Sequence, residues 1–120
     1  MKIIFFLPLF FSSLAIAAGG PYDGIWHFPP YGYINISEDN RTVVAVNVYN
    51  QEWGGDWEAF MGPRDKNIIR VTSITNPNII TVFKLRMRSD TTFTGTLESC
   101  IPASLCKFPE GFTFEGVKVW

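Results

Sequence analysis

The stretch TVFKLRMRSDTTFTGTLES, Thr81 to Ser99, leaves the chain one way to fold locally. A loop of Ser89, Asp90 and Thr91 pairs Arg88 with Thr92, Met87 with Phe93, Arg86 with Thr94, Leu85 with Gly95, Lys84 with Thr96 and Phe83 with Leu97. Phe83, Leu85, Met87, Phe93 and Leu97 then share one face, while Lys84, Arg86, Arg88, Thr92, Thr94 and Thr96 share the other. This is the alternation of a half-buried antiparallel hairpin. Slipping one strand by a single residue would bury Lys84, Arg86 and Arg88, so charge enforces the register. The loop lacks the Gly or Asn usual at a left-handed hairpin position.

The remainder of the chain has the same texture. After residue 20 no segment shows helical periodicity, and β-branched and aromatic residues recur in short runs broken by Gly, Pro, Asn and Asp. Strands are predicted near Gly24 to Phe28, Tyr31 to Ser37, Thr42 to Tyr49, Asp56 to Met61, Asn67 to Ile74, Ile79 to Arg88, Thr92 to Ser99 and Phe112 to Trp120. Short strands with short links describe an all-β fold, a single antiparallel up-and-down meander barrel of about eight strands. The triplets FMG, FTG and FEG at Phe60, Phe93 and Phe114 each set an aromatic two residues before Gly62, Gly95 or Gly116. A glycine on an inner strand face lets a small barrel bend, and a neighbouring aromatic covers the gap.

A second hairpin, YINISEDNRTVVAVNVY, is expected to turn at Asp39 and Asn40, pairing Glu38 with Arg41, Ile36 with Val43 and Ile34 with Ala45. Its other face is apolar too, through Tyr33, Val44, Val46 and Val48. Such a face is covered within the molecule, by a second copy in a homodimer, or left as a contact patch. Tyr22, Phe28, Tyr31 and Tyr33, around Pro29 and Pro30, form an aromatic segment suited to covering it, or to recognising another protein. Asn35 with Ser37 and Asn40 with Thr42 form glycosylation sequons, which matter only in a eukaryotic host.

The chain opens MKIIFFLPLFFSSLAIAAGG: Lys2, an apolar run from Ile3 to Phe11, and small residues at Ala15, Ala17 and Ala18. This is the three-part pattern of a secretory signal peptide, residues 1–18, with cleavage after Ala17 or Ala18. The run is too short for a membrane-spanning helix. Residues 19–120 then form a single domain, secreted or periplasmic, with one modest core. Without Lys2, 9 basic residues face 11 acidic ones, a net charge of −2, which does not suit nucleic acid. In an oxidising compartment Cys100 and Cys106 are expected to form a disulfide. Two cysteines and the single His27 do not make a metal site, and no motif calls for a cofactor.

The first strand carries Gly24-Ile25-Trp26, and there the chain resembles the calycin group, the lipocalin and avidin-like barrels. The resemblance implies a secreted eight-stranded barrel with Trp26 packed across its closed end.

The loop NQEWGGDWEAFMG, Asn50 to Gly62, sets Trp53 and Trp57 around Gly54, Gly55 and Asp56. The first expectation is that Trp57 joins the core and Trp53 packs over the barrel rim; the second is that both grip a ligand at a barrel mouth. Glu52, Asp56 and Glu58 cluster in sequence as paired carboxylates or calcium ligands would, but acids alternating with Trp57 on a strand read as solvent-facing. His27 reads as a structural residue, and no nucleophile, base and orienting acid stand together, so no enzyme is indicated. Three functions follow. A small apolar or amphipathic ligand would be held by Trp53, Trp57, Phe83, Leu85, Met87, Phe93 and Leu97. Alternatively, surface loops of an exported interaction module or enzyme inhibitor would bind a protein. A small outer-membrane barrel is suggested by the terminal FEGVKVW, although Lys118 interrupts its alternation.

Overall fold

The computed structural model of the chain describes residues 19–120; the predicted signal segment lies outside them. The strands are β1 (Gly24–Phe28), β2 (Gly32–Asp39), β3 (Thr42–Tyr49), β4 (Trp57–Asp65), β5 (Ile68–Ser73), β6 (Ile80–Met87), β7 (Thr92–Ile101) and β8 (Thr113–Lys118). Each is antiparallel to its neighbour, and β1 also pairs with β8 through Trp26↔Lys118 and His27↔Val117, so the sheet closes into an up-and-down barrel. Closure removes the edges along which strands otherwise aggregate.

The β6–β7 hairpin has the register that its charges demand, from Met87↔Phe93 through Leu85↔Gly95 to Phe83↔Leu97, before a bulge between Val82 and Phe83. Its loop needs no glycine. The Ser89 hydroxyl accepts hydrogen bonds from the backbone N–H groups of Thr91 and Thr92, both at 3.1 Å, so a side chain replaces the missing turn residue.

The β2–β3 hairpin differs from expectation. Asn40 and Arg41, both with positive φ (54° and 66°), form the turn, and the pairs are Asp39↔Thr42, Glu38↔Val43 and Ile36↔Ala45. Every partner moves two residues along from the expected register. A shift of two preserves which side chains point inward, and both faces are apolar, so the turn conformation decides the pairing.

Eight strands leave a channel that side chains can fill, and here they do over most of its length. Trp26 is completely buried at the closed end, its Nε1 donating to the Tyr22 carbonyl at 3.1 Å. Phe93 lies 5.4 Å from Trp26, and Phe83 lies 5.3 Å from Phe60 and 5.6 Å from Phe114. Phe93 pairs with Gly116 and Phe114 with Gly95, and in each case the ring occupies the space a Cβ would take. Gly62 works differently, because a Cβ there would strike the Arg70 carbonyl of the neighbouring strand. Between Phe60, Phe83 and Phe114 only about 10 Å³ stays empty, one water at most.

The closed end is tied electrostatically. Glu38 and Arg64 both project inward, from β2 and β4, and Arg64 Nε donates to Glu38 Oε1 at 2.7 Å. Gly20 lies against the Glu38 side chain, so the N-terminal segment crosses this end.

Outside the barrel, the aromatic segment from Tyr22 to Tyr33 does not cover the valine face. Tyr22 sits beside Trp26, Tyr31 turns into the opposite end, and Tyr33 is itself exposed on that face, stacked on His27 at 4.7 Å. Cross-strand pairing sets Trp57, Val48, Tyr33, His27 and Val117 in one row across β4, β3, β2, β1 and β8. All but His27 are at least 45% exposed.

Candidate functional site

The loops after β1, β3, β5 and β7 meet at the end opposite Trp26, and they divide it into a plugged half and an open half. The plug is aromatic. Tyr31 meets Trp53 at 4.8 Å and Phe108 at 5.2 Å, both edge to face, and Phe108 stacks on Phe112 at 4.2 Å. These contacts fix three loops with rigid rings that cost little side-chain entropy.

Beside the plug opens a cavity of about 550 Å³. Phe83 and Leu97 belong to its wall on the barrel side, with Ile79, Leu105 and Phe108 adding apolar surface. The disulfide between Cys100 and Cys106 closes the start of the β7–β8 connection and brings Leu105 and Lys107 to the wall. Glu110 reaches back to accept a hydrogen bond from the Cys100 N–H at 3.2 Å, holding the same loop.

The charged and phenolic groups come from β3, the β3–β4 loop, β4 and the connection after the disulfide, and Thr75, Asn76 and Thr81 add neutral polar surface from the β5–β6 connection and β6. Phe60 is buried in the core, so strand alternation turns Glu58 inward and Trp57 outward. Burial first, and then the Asp56 carboxylate, push the Glu58 carboxyl above the ordinary carboxylate range, against a smaller downward pull from Lys107. Lys107 Nζ lies 3.2 Å from Asp56 Oδ1 and 4.8 Å from the centre of the Tyr49 ring. Burial raises the Tyr49 hydroxyl pKa well beyond its usual value, so this phenol stays neutral.

The structure therefore separates the predicted ligand residues. Phe83 and Leu97 line the cavity and Trp57 stands at its rim. Leu85, Met87 and Phe93 lie deeper, buried in the filled barrel, and Trp53 belongs to the plug. Trp57 does not join the core: it is 61% exposed, because the parity that buries Phe60 sends Trp57 out. The same parity overturns the solvent-facing reading of Glu58, which is half-buried in the mouth, while Glu52 is exposed on a short 3-10 turn. The placement of Phe60 and Gly62 on the inner face already implied an inward Glu58. Tyr49, Ile79, Thr81, Lys107 and Phe108 also line the cavity and carried no such signal.

Searched against protein-family models, curated proteins and solved structures, the chain matches none.

Proposed function

We propose that the chain is an exported, calycin-like small β-barrel that holds a small apolar or amphipathic ligand in its mouth. The cavity carries this reading. At about 550 Å³ it falls within the roughly 300–1,000 Å³ of small-molecule sites. It joins an apolar wall of Phe83, Leu97, Ile79 and Phe108 to convergent polar groups at Glu58, Thr81 and Lys107. Trp26 at the opposite, closed end agrees with the calycin resemblance, and the disulfide suits an oxidising compartment. Native mass spectrometry of the protein exported by its own signal and purified gently tests the reading. A bound species of a few hundred daltons, displaced in Leu97→Trp, supports it; a wild-type protein that is always empty and binds no amphipath overturns it.

A second reading, contact with a protein or a second copy, is favoured by the exposed row of Trp57, Val48, Tyr33 and Val117, continued by half-buried Val44 and Val46. Sedimentation at rising concentration distinguishes a homodimer from a monomer that needs another partner. The outer-membrane reading has less support, because Arg70 and Arg86 stand exposed on outward positions of β5 and β6, where a lipid-facing band would be apolar.

A further inference from the structure

The mouth already contains one bound cation, which belongs to the protein. Lys107 reaches in from the disulfide loop and places its ammonium between the Asp56 carboxylate, at 3.2 Å, and the face of the Tyr49 ring, at 4.8 Å. A carboxylate on one side and an aromatic face on the other are the partners that recognise organic ammonium ions. Two acids, Asp56 and Glu58, share the cavity lining with one base, Lys107. Lys107 pairs with Asp56, and Glu58 has no ion-pair partner within 4.0 Å among the described residues. Glu58 is thus an inward, half-buried carboxylate at the polar side of an apolar cavity, without a counter-charge of its own.

We infer that the mouth selects the ammonium end of an amphipathic amine, with Glu58 as its counter-charge and the apolar tail against Phe83, Leu97 and Phe108. This specificity rests on the reading of the mouth as a ligand site. A carboxylate-ended ligand fits poorly, because its anion would enter beside Asp56 and Glu58 while the one nearby ammonium is engaged. A neutral head group would gain the apolar contacts and at most a hydrogen bond, without the charge contact. Lys107 competes with the incoming ammonium for Asp56 and the Tyr49 face, so Glu58 and Lys107 have opposite effects on amine binding.

Three probes with one tail isolate the head group: octylamine, 1-octanol and octanoate, titrated calorimetrically into the exported protein at neutral pH. Octylamine is expected to bind about tenfold tighter than octanol, the size of one favourable charge contact, and octanoate weakest of the three. Glu58→Gln should reduce the amine to within about twofold of the alcohol while the alcohol's own affinity holds. Lys107→Ala should tighten octylamine, whereas a lysine that merely supports the loop would weaken all three probes when removed. Octanol matching octylamine in the wild-type protein, or an amine preference that survives Glu58→Gln, overturns the head-group inference and leaves the mouth as a ligand site. No binding of any probe overturns the ligand-site reading and this inference with it.

Discussion

The two ends of this barrel each turn a glutamate inward, and they treat it in opposite ways. At the closed end Glu38 meets the Arg64 guanidinium at 2.7 Å, beneath Gly20 and beside a core that begins with Trp26. At the mouth Glu58 stands next to a second carboxylate, and the one lysine within reach is paired elsewhere. A charge removed from water is tolerated when a partner and hydrogen bonds replace its hydration. Glu38 meets that condition, whereas Glu58 remains the less satisfied group, and such groups concentrate at functional sites. One end therefore pairs its inward charge within the fold, and the other leaves an inward carboxylate without an ion-pair partner among the described residues.

Substitutions at the two ends should separate these roles. Trp26→Ala is expected to have the largest effect on folding, about 4 kcal/mol, because it removes a large side chain from a fully buried position; chemical denaturation measures the loss. Arg64→Ala strips one partner from the inward pair and should cost about 3 kcal/mol, the low end for buried ion pairs, since the site is not sealed. A loss below about 0.5 kcal/mol would mean that Glu38 finds water, and the contrast between the ends would fail. Cys100→Ser with Cys106→Ser should cost about 2 kcal/mol by the loop-closure estimate. It acts at the mouth, so under the ligand-site reading affinity should fall further than the stability loss explains as the apolar wall residues Leu105 and Phe108 lose their anchor.

The same contrast governs what is legible in the sequence. The β6–β7 hairpin could be read pair by pair because Lys84, Arg86 and Arg88 penalise every wrong parity. The β2–β3 hairpin, apolar on both faces, revealed only which residues point inward; its pairing lies two residues away because Asn40 and Arg41 both take positive φ. Barrel closure followed from strand number and inner-face glycines, with Phe93 over Gly116 and Phe114 over Gly95. The mouth was harder to read. Glu58 was accessible through its parity with Phe60, but proximity to Trp57 suggested a solvent position. Lys107 reaches Asp56 across 51 positions of sequence through an irregular loop, and periodicity says nothing about the path of such a segment.

The smallest and most diagnostic effect is at Glu58 itself. Its carboxyl pKa is raised in the folded protein, by burial first and by Asp56 second. The folded state therefore holds this proton more tightly than the unfolded chain does, and stability falls as pH rises from the ordinary carboxylate pKa through the raised one. Glu58→Gln removes the titration, so the variant should match the wild-type protein below that window and exceed it slightly above, with ligand absent. Melting temperatures of the two proteins, taken side by side across mildly acidic to neutral pH, measure the difference. Arg64→Ala should be destabilising in the same buffers at neutral pH, because it leaves the inward Glu38 carboxylate without its partner. Parallel losses for Glu58→Gln and Arg64→Ala at neutral pH would show that Glu58 is a structural anchor like Glu38. Opposite signs would show that the mouth carries a carboxylate the fold does not need, as the proposed ammonium site requires.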